Sequence, residues 1–192
     1  MATTQPIRNM KSLKKFESYY QSVKPNVRNY TLIVLGLNSA LRISDILNLT
    51  WKCVFNFKKG CFKRHLIVKE QKTGKTNRIY LNKEAVEALS SYASTTMMCP
   101  DHYLFPGRPA ASAPLSRFQA YRLIREAAEY ADLGPGISCH SLRKTFGYHA
   151  WKQGTPPALL MNIYNHSAYQ ITKHYLCIDQ DDKDAVFEKI LL

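Results

Sequence analysis

The hydrophobic period of this chain changes twice, and that limits its fold more than any other feature. From Asn26 onward Tyr30, Ile33, Val34 and Leu37 recur at helical spacing behind the start signal Pro25-Asn26. A shorter helix is predicted over 44–49, ending near Trp51. Then Phe62 to Glu70 (FKRHLIVKE) and Arg78 to Leu81 (RIYL) turn rich in branched and aromatic residues, with Lys72-Thr73-Gly74-Lys75 as a turn between them. The pattern is a β-hairpin with a lysine-rich tip, and Asn56 to Gly60 is read as a turn that brings an earlier strand into the same sheet. From Asn82 the helical period returns. Helices are predicted over 83–93, 116–131, 140–153, 157–164, just before Tyr175, and over 181–192.

The fold class that follows is α+β, a mainly helical domain with one small antiparallel sheet. Residues 1–25 read as a loose basic lead-in holding a short helix over 12–21, with Leu13, Phe16 and Tyr20 on one face. Residues 26–192 read as one domain that includes the C-terminal helix. On helix 116–131 the apolar stripe is read as Phe118, Tyr121, Ile124, Ala128 and Ala131. On the last helix it is Val186, Phe187, Ile190 and Leu191.

With 192 residues, 45% of them hydrophobic and 21% charged, the chain has the balance of a globular protein. The most apolar stretch, Thr31 to Leu41, is too short for a membrane span and contains Gly36, Asn38 and Ser39. The basic N-terminus lacks the apolar run of a secretory signal, which points to a cytoplasmic protein. A net charge of +13 favours a polyanionic partner, nucleic acid before membrane surface. The five cysteines form no CxxC or CxxH pair, and the six histidines form no HExxH or HxH pair, so neither disulfides nor a metal are expected.

Several side chains could carry chemistry. His140 and Arg143 share a helix face at i,i+3 with Lys144 beside them, as a phosphate grip or as a solvated helix end. The hairpin lysines are either a finger that touches DNA or a solvated turn. Arg42 lies between two apolar helical runs, where an arginine needs an anionic partner: Asp45, three residues on, or a phosphate.

The order and flanks of these residues resemble the tyrosine recombinase (phage integrase) family. Leu35-Gly36-Leu37-Asn38-Ser39-Ala40-Leu41-Arg42-Ile43-Ser44-Asp45 is similar to the family's helix, small-residue turn and arginine. QKTGKTNRIYL is similar to its β-hairpin bearing a catalytic lysine, with Lys72 the best match and Lys75 the rival. Leu104-Phe105-Pro106 resembles its LFP strand, and His140-Ser141-Leu142-Arg143-Lys144-Thr145-Phe146 its HxLRHTF-like box, with Lys144 in place of a frequent histidine. Asn165-His166-Ser167 stands where the family usually has Gly-His-Ser, and Thr172 and Tyr175 match its threonine and nucleophile. Glycine before His166 permits a left-handed backbone, and asparagine is the best substitute there.

The resemblance implies site-specific DNA recombination or integration without metal or other cofactor. Tyr175 is implied as the nucleophile and Arg42 and Arg143 as the phosphate clamp. Lys72 is implied as general acid, His140 as an aid to proton transfer, His166 as a hydrogen-bond donor and Asp45 as the residue that orients Arg42. The implied partners are double-stranded DNA and further copies of the chain, up to a tetramer on DNA, in the bacterial nucleoid. The terminal helix docks either on a neighbouring copy or on its own domain. The chain resembles either short stand-alone members, such as the fimbrial-switch invertases, or the catalytic part of a longer integrase. Two other functions share the scaffold or the chemistry: non-catalytic DNA binding and type IB topoisomerase-like strand relaxation.

Overall fold

The computed structural model describes residues 4–71, 74–107 and 113–190. Its centre is helix α2 (Val27–Asn38), whose N-terminus is capped by Asn26 through Oδ1, which accepts the Asn29 N–H at 3.0 Å. Leu32, Ile33, Val34 and Leu35 are all buried, so α2 is apolar around its circumference because neighbours cover it on every side. Those neighbours include α1 (Met10–Ser18), α5 (Lys83–Ala93) and α7 (Cys139–Lys152). Gly36 permits the α7 contact: a Cβ there would drive into the Leu142 side chain. On the α5 side, Thr31 Oγ1 donates to the Ala88 carbonyl at 3.0 Å.

After α2 the chain makes two short helices, α3 (Ile43–Leu47) and α4 (Trp51–Val54), before the strands. Among the described residues the strands form two separate antiparallel pairs where the sequence reading had one sheet. Strand β1 (Phe55–Asn56) pairs β2 (Cys61–Phe62), and β3 (His65–Lys69) pairs β4 (Thr76–Tyr80) in the register His65↔Tyr80 to Lys69↔Thr76. The first pair is only two residues long on each side, too short to extend the second. In β3 the alternation is visible as buried Leu66 and Val68 against exposed Ile67 and Lys69.

The segment Tyr103-Leu104-Phe105 acts as a clamp between the two halves. Leu104 and Phe105 are buried, the Leu104 N–H donates to Leu49 O at 2.7 Å, and Phe105 O accepts the Leu115 N–H at 2.7 Å. Helix α6 (Arg117–Tyr130) follows behind a capping box of Ser116 and Gln119. Its buried stripe is Ala120, Ile124, Ala127 and Ala128, continued by Ala131. This corrects the sequence reading at two positions, since Phe118 is 68% and Tyr121 43% exposed. Two stripes compete on this helix. The one made of small residues allows close packing, and the one that starts with Phe118 and Tyr121 runs on into Arg125.

The lead-in is also packed where the sequence read as loose. Ile7 is buried in the main core, its N–H donates to Thr145 Oγ1 at 2.9 Å, and the Gln5 N–H donates to Gly136 O at 2.9 Å. Single apolar residues such as Ile7 carry no periodicity, so nothing in the local pattern marked the contact. The chain ends in α8 (Pro157–Tyr164), α9 (Tyr169–Leu176) and α10 (Asp179–Lys189). Phe187 and Ile190 on and just after α10 are 78% and 57% exposed, while Leu191 and the Val186 side chain fall outside the described set. Among the described residues, no helix is long and apolar enough to cross a membrane.

Candidate active site

The turn from α2 into α3 sets the first side chain. Ala40 adopts the left-handed region at φ 53°, and Arg42 then takes an extended conformation as N-cap of α3. Because Arg42 precedes the helix, its side chain leaves on a different path from Asp45 in the helix's first turn. The carboxylate it meets is Glu70, at the end of β3: Arg42 Nη1 donates to Glu70 Oε2. This corrects the expectation that Asp45 orients Arg42. Asp45 is buried and its Oδ1 accepts the Gln71 N–H at 3.0 Å, so it anchors the hairpin as the strand ends.

Arg143 sits inside α7, buried against the end of α2 and the end of α8. Its Nη1 donates to Ala40 O and its Nη2 to Tyr164 O at 3.3 Å, and its guanidinium carbon lies 4.6 Å from the centre of the Tyr164 ring. Tyr164 in turn donates its hydroxyl to Arg143 O at 2.7 Å. Burial lowers the Arg143 pKa, although it remains a cation. Gly147, one turn further along α7, allows this packing: a Cβ there would lie 2.6 Å from Leu176 Cδ2.

Helix α8 ends at Asn165, which is left-handed at φ 55° and ψ 37°, as the asparagine-for-glycine substitution implied. The reversal presents His166, whose Nδ1 is 3.0 Å from Oγ1 of buried Thr172. Tyr175 follows one turn on. Its ring lies 5.4 Å from His166, nearly perpendicular, and 5.5 Å from Tyr164. Lys144 Nζ stands 5.1 Å from the Tyr175 ring centre and donates to Thr4 O at 2.6 Å.

The charges of the cluster act on each other. Burial raises the Tyr175 phenol above its ordinary value, against the lowering influence of Arg143 and Arg42. His166 is lowered first by burial, then by Arg143 and Arg42. His140, exposed in the first turn of α7, is lowered by partial loss of solvent, then by Arg117, Lys144, Arg143 and Arg42. These shifts favour the neutral imidazoles and the neutral phenol at pH 7.

The structure thus gathers Arg42, His140, Arg143, His166 and Tyr175. Lys72 lies outside the described residues, and its rival Lys75 is exposed beside β4, where its carbonyl accepts the Glu70 N–H at 2.9 Å. Glu70 and Tyr164 were missed. A glutamate that ends the hydrophobic strand HLIVKE was the available signal for the first; one tyrosine among twelve offered none for the second. Among the described residues no group of three or more His, Cys, Asp or Glu side chains is arranged to hold a metal.

Comparison with known proteins follows the same lines. The model of the phage integrase family matches residues 9–181. A Bacillus subtilis (strain 168) protein named "Probable integrase/recombinase YoeC" is 39% identical over 188 residues, 98% of this chain and 97% of that protein. The tyrosine recombinase XerD of Mycobacterium leprae is 24% identical over 159 residues, 79% of this chain but 48% of that protein. The chain therefore spans nearly all of one relative and about half of another. Among solved structures, XerA recombinase superposes with a TM-score of 0.75 at 18% identity, covering 99% of this chain and 68% of that one. XerH site-specific recombinase bound to a palindromic difH substrate superposes at 0.73 with 19% identity, covering 98% of this chain and 54% of that one. At these identities the two structures speak to the fold alone, which this chain shares with part of each of them.

Proposed function

The chain belongs to the phage integrase family, and from that premise we propose that it is a tyrosine site-specific recombinase that cuts and rejoins DNA through Tyr175. The observation that carries this reading is the meeting of two arginines, two histidines and one tyrosine drawn from the start of α3, α7, the α8–α9 turn and α9.

The Tyr175 hydroxyl oxygen attacks phosphorus, the bond to the 5′-oxygen breaks, and a 3′-phosphotyrosyl ester and a free 5′-hydroxyl result. The ester retains the bond energy for the reverse step. Arg42 and Arg143 take the nonbridging oxygens, whose charge grows in the transition state. The phenol is neutral, so its proton must leave as it attacks, and the neutral His140 is a competent acceptor. If Thr172 donates to His166 Nδ1, the other ring nitrogen carries the hydrogen and donates to the phosphate. Lys72 is the general acid for the departing 5′-oxygen, with Lys75 as the alternative. In this reading residues 26–192 are the catalytic domain and residues 1–25 its lead-in.

Double-stranded DNA is the substrate. The net charge of +13 suits a phosphate backbone. Exposed Phe118 and Tyr121 line a hollow with Arg117 and His140, which gives DNA an apolar and cationic surface beside the site. Further copies of the chain are the second partner, up to a tetramer on DNA. Exposed Phe187 and Ile190 favour docking of the terminal segment on a neighbouring copy.

The test uses a pool of nicked duplexes with randomised sequence around the nick. Covalent adducts are captured after denaturation in detergent, and their DNA is sequenced. Adducts are expected in the presence of a chelator and not in Tyr175→Phe. Adducts that persist in that variant, or that need magnesium, overturn the mechanism.

A further inference from the structure

Glu70 is wholly buried, and among the described residues its carboxylate is shared by the start of α3, β4 and the end of α8. Oε2 accepts Arg42, at the start of α3. Oε1 accepts Asn77 Nδ2 of β4 at 2.6 Å and Asn165 Nδ2, at the end of α8, at 3.3 Å. The same Asn165 nitrogen lies 3.4 Å from Asn77 Oδ1. Glu70 also closes the hairpin: its N–H donates to Lys75 O and its carbonyl accepts the Gly74 N–H, each at 2.9 Å. Whatever holds Glu70 therefore holds both Arg42 and the base of the lysine-bearing turn.

The backbone alone does not explain asparagine at 165. At φ 55° glycine satisfies the conformation without a side-chain penalty. What asparagine adds is an amide that reaches Glu70. A buried carboxylate offers more acceptor sites than one arginine fills, and an amide can donate to them without adding charge.

We propose that Asn165 is a positioning residue: through Glu70 it ties the His166–Tyr175 segment to Arg42 and to the hairpin base. Its kinetic consequence rests on the recombinase reading above, whereas the tether itself does not. Tyr175 and the lysine act on opposite sides of the same phosphate in that reading, so a link between their supporting segments fixes the relative placement of nucleophile and acid.

The test compares Asn165→Gly with Asn165→Asp. A purely local backbone role predicts that glycine is at least as stable and as active as asparagine. The tether predicts a different order. In Asn165→Gly, Tm is retained or raised and DNA affinity is unchanged. Amide exchange at Glu70 and Gly74 in the free protein quickens. Adduct formation on a duplex selected from the nicked pool slows about fivefold, the net size of one hydrogen bond. Asn165→Asp, which faces a second carboxylate toward Glu70, is slower still. In a Glu70→Ala background the glycine substitution has no further effect. Wild-type exchange in Asn165→Gly overturns the proposal whatever the rate, and so does a rate loss that adds in full to that of Glu70→Ala. If Glu70→Ala does not fold, exchange in Asn165→Gly alone decides. If the wild type makes no Tyr175-dependent adduct, the recombinase reading fails while exchange still tests the tether.

Discussion

Arg42 stands before a helix with a buried carboxylate on its guanidinium, whereas Arg143 stands within a helix among carbonyl oxygens and an aromatic ring. Among the described residues Arg143 has no carboxylate within ion-pair distance. The two therefore bring different net charge to the same cluster. The Arg42–Glu70 pair is close to neutral. Arg143 has no such carboxylate against its guanidinium among the described residues, and the dipoles of Ala40 and Tyr164, the Tyr175 side chain and the face of a ring steady its charge. In the proposed mechanism Arg143 is the main attraction for the phosphate, and Arg42 a donor oriented by Glu70.

The comparison is broken most easily by stability. Arg42→Gln removes a cation from the buried Glu70 carboxylate, which should cost about 3–5 kcal/mol. Arg143→Gln strands only carbonyl oxygens, at about 1–3 kcal/mol. Denaturant unfolding of both variants measures the difference, and the combination Arg42→Gln with Glu70→Gln should recover most of the larger loss. Equal costs for the two single variants would mean that Glu70 is not the partner that matters.

Catalysis should rank the arginines the other way. Arg143→Gln is expected to slow adduct formation about 10²–10³-fold, the range for loss of one preorganised donor to a charged transition state. Glu70→Gln, which leaves Arg42 in place but removes its counter-charge, should tighten DNA binding and raise its salt dependence. Measured binding at two salt concentrations checks this, and an unchanged affinity would count against a neutralised pair.

Protonation sharpens the same contrast. His140 and His166 have pKa values lowered from 6.5 in the folded protein, in part by these arginines. The unfolded chain then binds protons that the folded one refuses. Their contribution to stability is full above about pH 6.5 and is lost as pH falls toward the lowered values. Tm should drop between pH 7.5 and 5.5, and His166→Gln should flatten that slope. The smallest effect is expected at Ala40, whose left-handed backbone offers its carbonyl to Arg143. Ala40→Gly should retain that contact and gain up to about 1 kcal/mol in unfolding experiments by relief of the Cβ clash.

Periodicity made much of this molecule legible. Helix α5 coincides with the span read from Ala85, Val86 and Leu89, and the hairpin arms were visible in their branched and aromatic residues. Asparagine at 165 announced its left-handed backbone, because side-chain type and φ are linked within one residue. Local signals failed where two segments met. Phe118 and Tyr121 were assigned inward because they are large and apolar, but small residues win the inner face of α6 by allowing closer approach. Ile7 had no periodic company, and its burial depends on α7.

The sequence by itself singled out Arg42, His140, Arg143, His166 and Tyr175 as candidates, because each is marked by its neighbours along the chain. Only the tertiary structure decided how the two arginines differ. Asp45 is near Arg42 in sequence, yet Glu70 from a distant strand neutralises it and Asn165 from a later helix reaches that same carboxylate. Charge compensation acts through space over a few ångströms, and no local pattern records which residue from another segment will arrive within that distance.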